Sequence, residues 1–146
     1  MAKKLGNDYR LWIESVTPGT YNEIKGNQDL SISRDGGTID TSAKSDFPYG
    51  TSAPGLRQLS VQASFIPDLP DANGYTRLMT LVNAATTTPI NLQIRKGGAT
   101  GVAPGDVVLQ GAFYATQANE GLGQNAPVTA NVTFVAASAP TTDALA

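Results

Sequence analysis

Carboxylates are the only side chains in this sequence that could run acid–base chemistry at neutral pH. The 146-residue chain has no cysteine and no histidine. Thiol nucleophiles, zinc–thiolate sites, imidazole bases and the commonest metal ligand are therefore excluded. Asp68 and Asp71 flank a Leu-Pro pair in "DLPD". A glycosidase needs two carboxyls facing each other across a substrate, about 5–10 Å apart, and no spacing here sets a partner opposite these two. They read as turn and helix-capping residues. Asp29, Asp35 and Asp40 are spread over strand ends and a turn, without the closely spaced oxygen ligands of a calcium loop. No catalytic residue, metal site or cofactor is expected.

Glycine-rich and aromatic positions offer no better chemistry. "RKGGATG" at 95–101 lacks the lysine–hydroxyl ending of a phosphate loop, and no helix pattern follows it. It reads as a loop. Tyr9, Trp12, Tyr21, Phe47, Tyr49, Tyr75 and Tyr114 are dispersed along the chain, which suits core or interface packing better than a sugar-stacking platform.

The elements that would position these residues are mostly strands. Period-two alternation runs through 8–14, 29–34, 58–65, 90–95, 107–116 and 128–136. "RDGG" at 34–37 reads as a turn, after which 38–42 resumes as strand. One segment breaks the rhythm. Tyr75, Leu78, Met79 and Val82 fall on one helical face, with Asp71 or Asn73 available as a cap and Pro89 stopping the helix before the next strand. The fold class expected is mainly β, a β-sandwich or half-barrel with one flanking α-helix. Residues 1–138 read as a single domain and 139–146 as a flexible tail.

Charge is scarce and unevenly placed. Only 15% of residues are charged, against about 25% in soluble proteins generally. None lies between Arg57 and Asp68, and Glu120 is alone between 107 and 142. A net charge of −2 gives no global pull toward nucleic acid or anionic membrane. No long apolar run follows Lys3 and Lys4, so neither a signal peptide nor a membrane span is expected.

What remains is a neutral polar face. Gln58, Ser60, Gln62 and Ser64 form one row; Thr129, Asn131 and Thr133 form another, with Gln110 and Thr116 beside them. A cationic face would hold DNA phosphates and an apolar one would aggregate. Amides and hydroxyls do neither, which suits the lining of a conduit. Long uncharged strands are also a pairing hazard at a sheet edge, and a ring of subunits closing into a barrel would remove the edges. Between 43 and 56 lies an insertion too long for a tight hairpin, stiffened by Pro48 and Pro54 and carrying Phe47 and Tyr49.

In the order of its elements the chain resembles the major tail (tail tube) proteins of long-tailed bacteriophages, themselves similar in fold to the tubes of contractile tails and type VI secretion. The resemblance runs through "YNEIKGNQDLSISRDGGTIDTS", "GLRQLSVQASFIPD", "YTRLMTLVNAA", "PINLQIR" and "VVLQGAFYATQANEGLGQNAPVTANVTFVAAS". It implies a hexameric ring whose inner sheets join into one barrel, rings stacked into a tube, and double-stranded DNA passing through without sequence-specific binding. It implies partners among other tail proteins (tape measure, terminator, distal tail), no membrane, and a place in the virion tail after assembly in the host cytoplasm. Carried onto this chain, the inner sheet comprises 38–42, 57–66, 107–117 and 128–135, with Gln58, Ser60, Gln62, Ser64, Gln110, Thr129, Asn131 and Thr133 facing the lumen. The ring-stacking loop would hold Lys44, Asp46, Phe47, Pro48, Tyr49, Leu56 and Arg57. A competing expectation is a β-sandwich binding module, carbohydrate-binding or decorating a virion. A hydrolase resting on Asp68 or Asp71 ranks below both.

Overall fold

The computed structural model describes residues 9–46, 49–84, 88–96 and 106–143, apart from the Asp46 side chain. The strands are β1 (Tyr9–Glu14), β2 (Tyr21–Glu23), β3 (Asn27–Asp40), β4 (Ser52–Phe65), β5 (Ile90–Lys96), β6 (Val107–Gly121), β7 (Thr129–Ala136) and β8 (Thr142–Asp143). Among the described residues, an α-helix, α1 (Tyr75–Val82), lies between β4 and β5, and a 3-10 turn spans Lys44–Asp46. All pairings are antiparallel, in the order β2-β1-β5-β6-β7-β4-β3, with β8 against β6.

The 15-residue β6 is the spine. Its first half pairs with β5, and its second half, from Phe113 to Gly121, pairs with β7. The sheet curls about it, so that the inner faces of both halves meet. Leu11 and Ile13 of β1, Leu92 and Ile94 of β5, and Val61 and Phe65 of β4 belong to one buried cluster with Phe113, Val132 and Phe134. Where Leu11, Val61, Leu92, Leu109 and Phe113 converge, no space for a water remains. This is the strand alternation at work: apolar residues two apart share a face, and that face leaves water. The result is a curled open sheet, a half-barrel with a helix.

α1 plugs the core beside Phe65. Tyr75 and Leu78 are buried, Met79, Leu81 and Val82 pack partly against the core, and the Tyr75 ring sits 6.0 Å from that of Phe65. Gly74 caps the helix without a side chain, and Asp71 supplies the acceptor instead. Its Oδ2 takes the N–H of Tyr75 at 3.2 Å and that of Lys25 at 3.1 Å. Arg77 ties the same helix to β1 through Nε–H donating to the Glu14 carbonyl at 2.8 Å.

Three elements differ from the sequence expectation. The "RDGG" segment is not a turn; β3 runs straight through it, pairing Asp35 with Gln58 and Gly36 with Arg57, with a register break before Thr38 and Pro54 resume. The break works because Gly37 and Gly55 approach closely: a Cβ on Gly55 would stand 3.0 Å from the Gly37 carbonyl oxygen. The insertion is consequently shorter than read, since pairing continues to Asp40 opposite Ser52. Lastly, Thr142–Asp143 is not loose: it is strand β8, with Thr141 N–H donating to the Gln110 carbonyl at 2.9 Å.

Candidate functional site

Four strands, in the order β6-β7-β4-β3, present one continuous outward face. Register fixes its rows. Gln117, Thr133, Gln62 and Ser31 lie side by side; so do Asn119, Asn131, Ser64 and Asp29, and so do Tyr114, Val135, Ser60 and Ser33. Gln58 stands opposite Asp35, and Thr129 opposite Gly121. A shallow groove of about 310 Å³ runs over the first two rows. Amides and hydroxyls dominate, and among the described residues of these rows the charged side chains are Asp29 and Asp35.

Of the residues expected on this face, Gln58, Ser60, Gln62, Ser64, Thr129, Asn131 and Thr133 are brought together. Gln110 is not. It lies at the far end of β6, between Gln93 and Thr142, in the other half of the sheet. Ser31, Ser33, Asp29 and Asp35 join from β3, whose place beside β4 no local pattern reveals. Gln117 and Asn119 join because the register breaks between Ala115 and Gln117. Thr116 is the extra residue there, its hydroxyl 3.4 Å from the Thr133 carbonyl. Without that bulge, simple alternation would turn Gln117 and Asn119 toward the core.

Beyond this face, β3 and β4 continue as a two-stranded arm. Thr41 and Thr51 close its end through a backbone bond of 3.0 Å and a hydroxyl pair at 3.0 Å, and Ser42 Oγ bonds the Thr51 carbonyl and N–H. Serine 42 also donates its N–H to Asp40, which holds the Asp40 carboxyl below the usual carboxylate range. The arm exposes Ile39, Tyr49 and Leu56, the last at 92%. Lys44 lies in the 3-10 turn, and Leu56 and Arg57 are in β4 rather than in a loop. Phe47 and Pro48 lie outside the described residues.

At the base of the arm Arg34 reaches Asp143 of β8 with two N–H donors, Nε at 3.1 Å from Oδ2 and the second on Oδ1. That contact holds the Asp143 carboxyl below its usual range and raises the Arg34 guanidinium. The opposite half of the sheet is built differently. Arg95 is buried, its guanidinium 4.2 Å over the Trp12 ring and 5.8 Å from that of Tyr21, with Nε–H on Gln93 at 2.7 Å. Burial pushes the Tyr21 hydroxyl up. These aromatics stack on a protein cation rather than opening a platform.

Asp71 is committed to two backbone N–H groups, and among the described residues no three His, Cys, Asp or Glu gather where they could hold a metal. Among them, too, no helix is long and apolar enough to cross a membrane.

This curled antiparallel half-barrel is a fold shared with subunits of solved phage-type tails. The chain is similar to a subunit of the tail of a gene transfer agent particle refined with C6 symmetry, at 16% identity and a TM-score of 0.74, covering 97% of this chain and 100% of that one. It is similar to the SPP1 tail tube protein at 12% identity and a TM-score of 0.70, covering 96% of this chain and 80% of that one. A chain of the six-fold symmetrised anti-feeding prophage baseplate matches at 10% identity and a TM-score of 0.67, with 97% of each chain covered. No protein-family model and no curated protein matches the sequence.

Proposed function

We propose that this chain is a structural subunit of a phage-type tail tube, forming hexameric rings that stack and enclose a channel for DNA. The observation that carries the reading is the cation-free polar face of β6, β7, β4 and β3. Lys and Arg, which bind phosphates by releasing counterions, are missing from its rows, so DNA would slide past without being held. Asp29 and Asp35 would repel phosphates and reinforce that effect. The six-fold symmetry of two similar assemblies supports the ring order. The arm, with Lys44, Asp46, Phe47, Pro48, Tyr49, Leu56 and Arg57, would reach the next ring. Other tail proteins would meet the ends of the tube, the finished product being part of a virion.

Mass photometry of the purified protein tests this. It should show a species of six subunits and, at higher concentration, its multiples. A monomer at every concentration and salt would overturn the reading, and glycan binding by that monomer would favour the binding-module alternative instead.

A further inference from the structure

Among the described residues the four-strand face has two unpaired edges, and they are complementary. On one side is the outer edge of β3 from Asp29 to Asp40, where every residue is exposed or half-buried. On the other is the second half of β6. β5 covers β6 only as far as Phe113, so Thr116–Gly121 carries β7 on one side and, among the described residues, no strand on the other. These six residues are exposed and contain one charge, Glu120. An unpaired, nearly neutral strand of this kind is a template for another chain.

We infer that β3 of one subunit pairs antiparallel with the second half of β6 of the next, displaced toward the arm by four to six residues from the level register. This rests on the ring reading above, and it names which edges meet and how. The sense follows from parity. β6, β7, β4 and β3 alternate in direction, so after four strands the next β6 runs antiparallel to β3 without any reversal of the subunit. A rotation about the tube axis then suffices.

The displacement follows from closure. Strands in a barrel tilt by roughly 35–45° to its axis, and four strands about 4.8 Å apart span about 19 Å. Subunits at equal height must therefore slip along the strand by about 13–19 Å, which is about four to six residues at 3.3 Å each. Only even slips keep polar residues beside polar ones. In the level register Asn119 would meet Asp29, because Asn119, Asn131, Ser64 and Asp29 form one row. A slip of four toward the arm sets Asn119 opposite Ser33, and a slip of six sets it opposite Asp35. The reverse slip sets it opposite Lys25 and runs β6 off the start of β3 at Asn27, so pairing survives in one direction only. In both favoured registers Ala118 and Glu120 lie on the core side with Ile32 and Arg34, and Glu120 stays off the face that carries Asp29 and Asp35.

Disulfide trapping reads the register directly, since the chain has no cysteine of its own. Asn119→Cys is combined in turn with Asp29→Cys, Ser31→Cys, Ser33→Cys and Asp35→Cys, giving slips of zero, two, four and six. All five positions are solvent-facing or half-buried, and the assembled protein is oxidised and run without reductant. Ladders up to the ring size should form with Ser33→Cys or Asp35→Cys, several-fold more than with the other two. Strongest cross-linking at Asp29→Cys or Ser31→Cys would overturn the inference. So would dimers from Ser33→Cys alone, which would mean β3 pairing with its own copy. Microscopy of the same samples separates the two levels of the argument. Rings without cross-links at the expected pairs overturn the edge assignment and leave the ring reading intact; no rings and no ladder overturn both.

Discussion

Asp71 shows how a residue that looks catalytic in the sequence is used up by structure. Its carboxylate accepts from Lys25 and Tyr75 N–H groups at the mouth of α1. Asp71→Ala should cost about 1–3 kcal/mol by leaving those donors unpaired, measured by urea unfolding, while Asp71→Asn, which keeps an acceptor, should cost less. Asp143 makes a second prediction. Arg34 depresses its folded pKa, so the ion pair adds stability above the ordinary aspartate range and loses it as pH falls through the depressed value. Carboxyl NMR should find the Asp143 midpoint below that of free aspartate, and Arg34→Gln should return it to the ordinary range. An unchanged midpoint in the variant would show that Arg34 is not the cause. The capping role of Asp71 was legible because a helix start has a local signature. The Arg34–Asp143 pair was not, because the partners are 109 residues apart and meet only through the curl of the sheet.

At the scale of elements, the six long strands followed from alternation, while the short β2 and β8 and the strand ends did not. "RDGG" has turn chemistry, yet β3 passes through it because the paired approach of Gly37 and Gly55 absorbs the irregularity within a ribbon. Thr116 hides a bulge that no alternation rule detects, and with it the outward facing of Gln117 and Asn119. The arm is therefore a ribbon with a short connection at 41–51. Deleting residues 44–52 should leave a folded subunit, seen as an unchanged near-UV spectrum, and abolish stacking of rings; tubes of normal length would show that the arm has no stacking role. A stability prediction belongs to the link before β3. Gly26 has φ of +83° and its missing Cβ would fall 1.9 Å from the Ile66 carbonyl oxygen. Gly26→Ala should lose about 1–3 kcal/mol from the backbone conformation alone, and more from the displaced Ile66 N–H bond to Gly26, now 2.8 Å. An unfolding midpoint equal to that of the parent would contradict it.

For the whole molecule, the features that stay unexplained in one subunit point outward. A curled sheet whose β3 edge and second half of β6 are unpaired among the described residues, a polar face without cations, and an arm exposing Ile39, Tyr49 and Leu56 are liabilities for a monomer. In a ring they become a closed barrel, a channel wall and a contact to the next ring. Heterologous contacts of this kind close into rings around the axis and extend without limit along it, which is how one small chain can build a tube. The most direct measurement is electron microscopy of the purified protein at high concentration. Hollow tubes of stacked six-fold rings are the expected result, and monomers alone across all concentrations and salts would contradict the account.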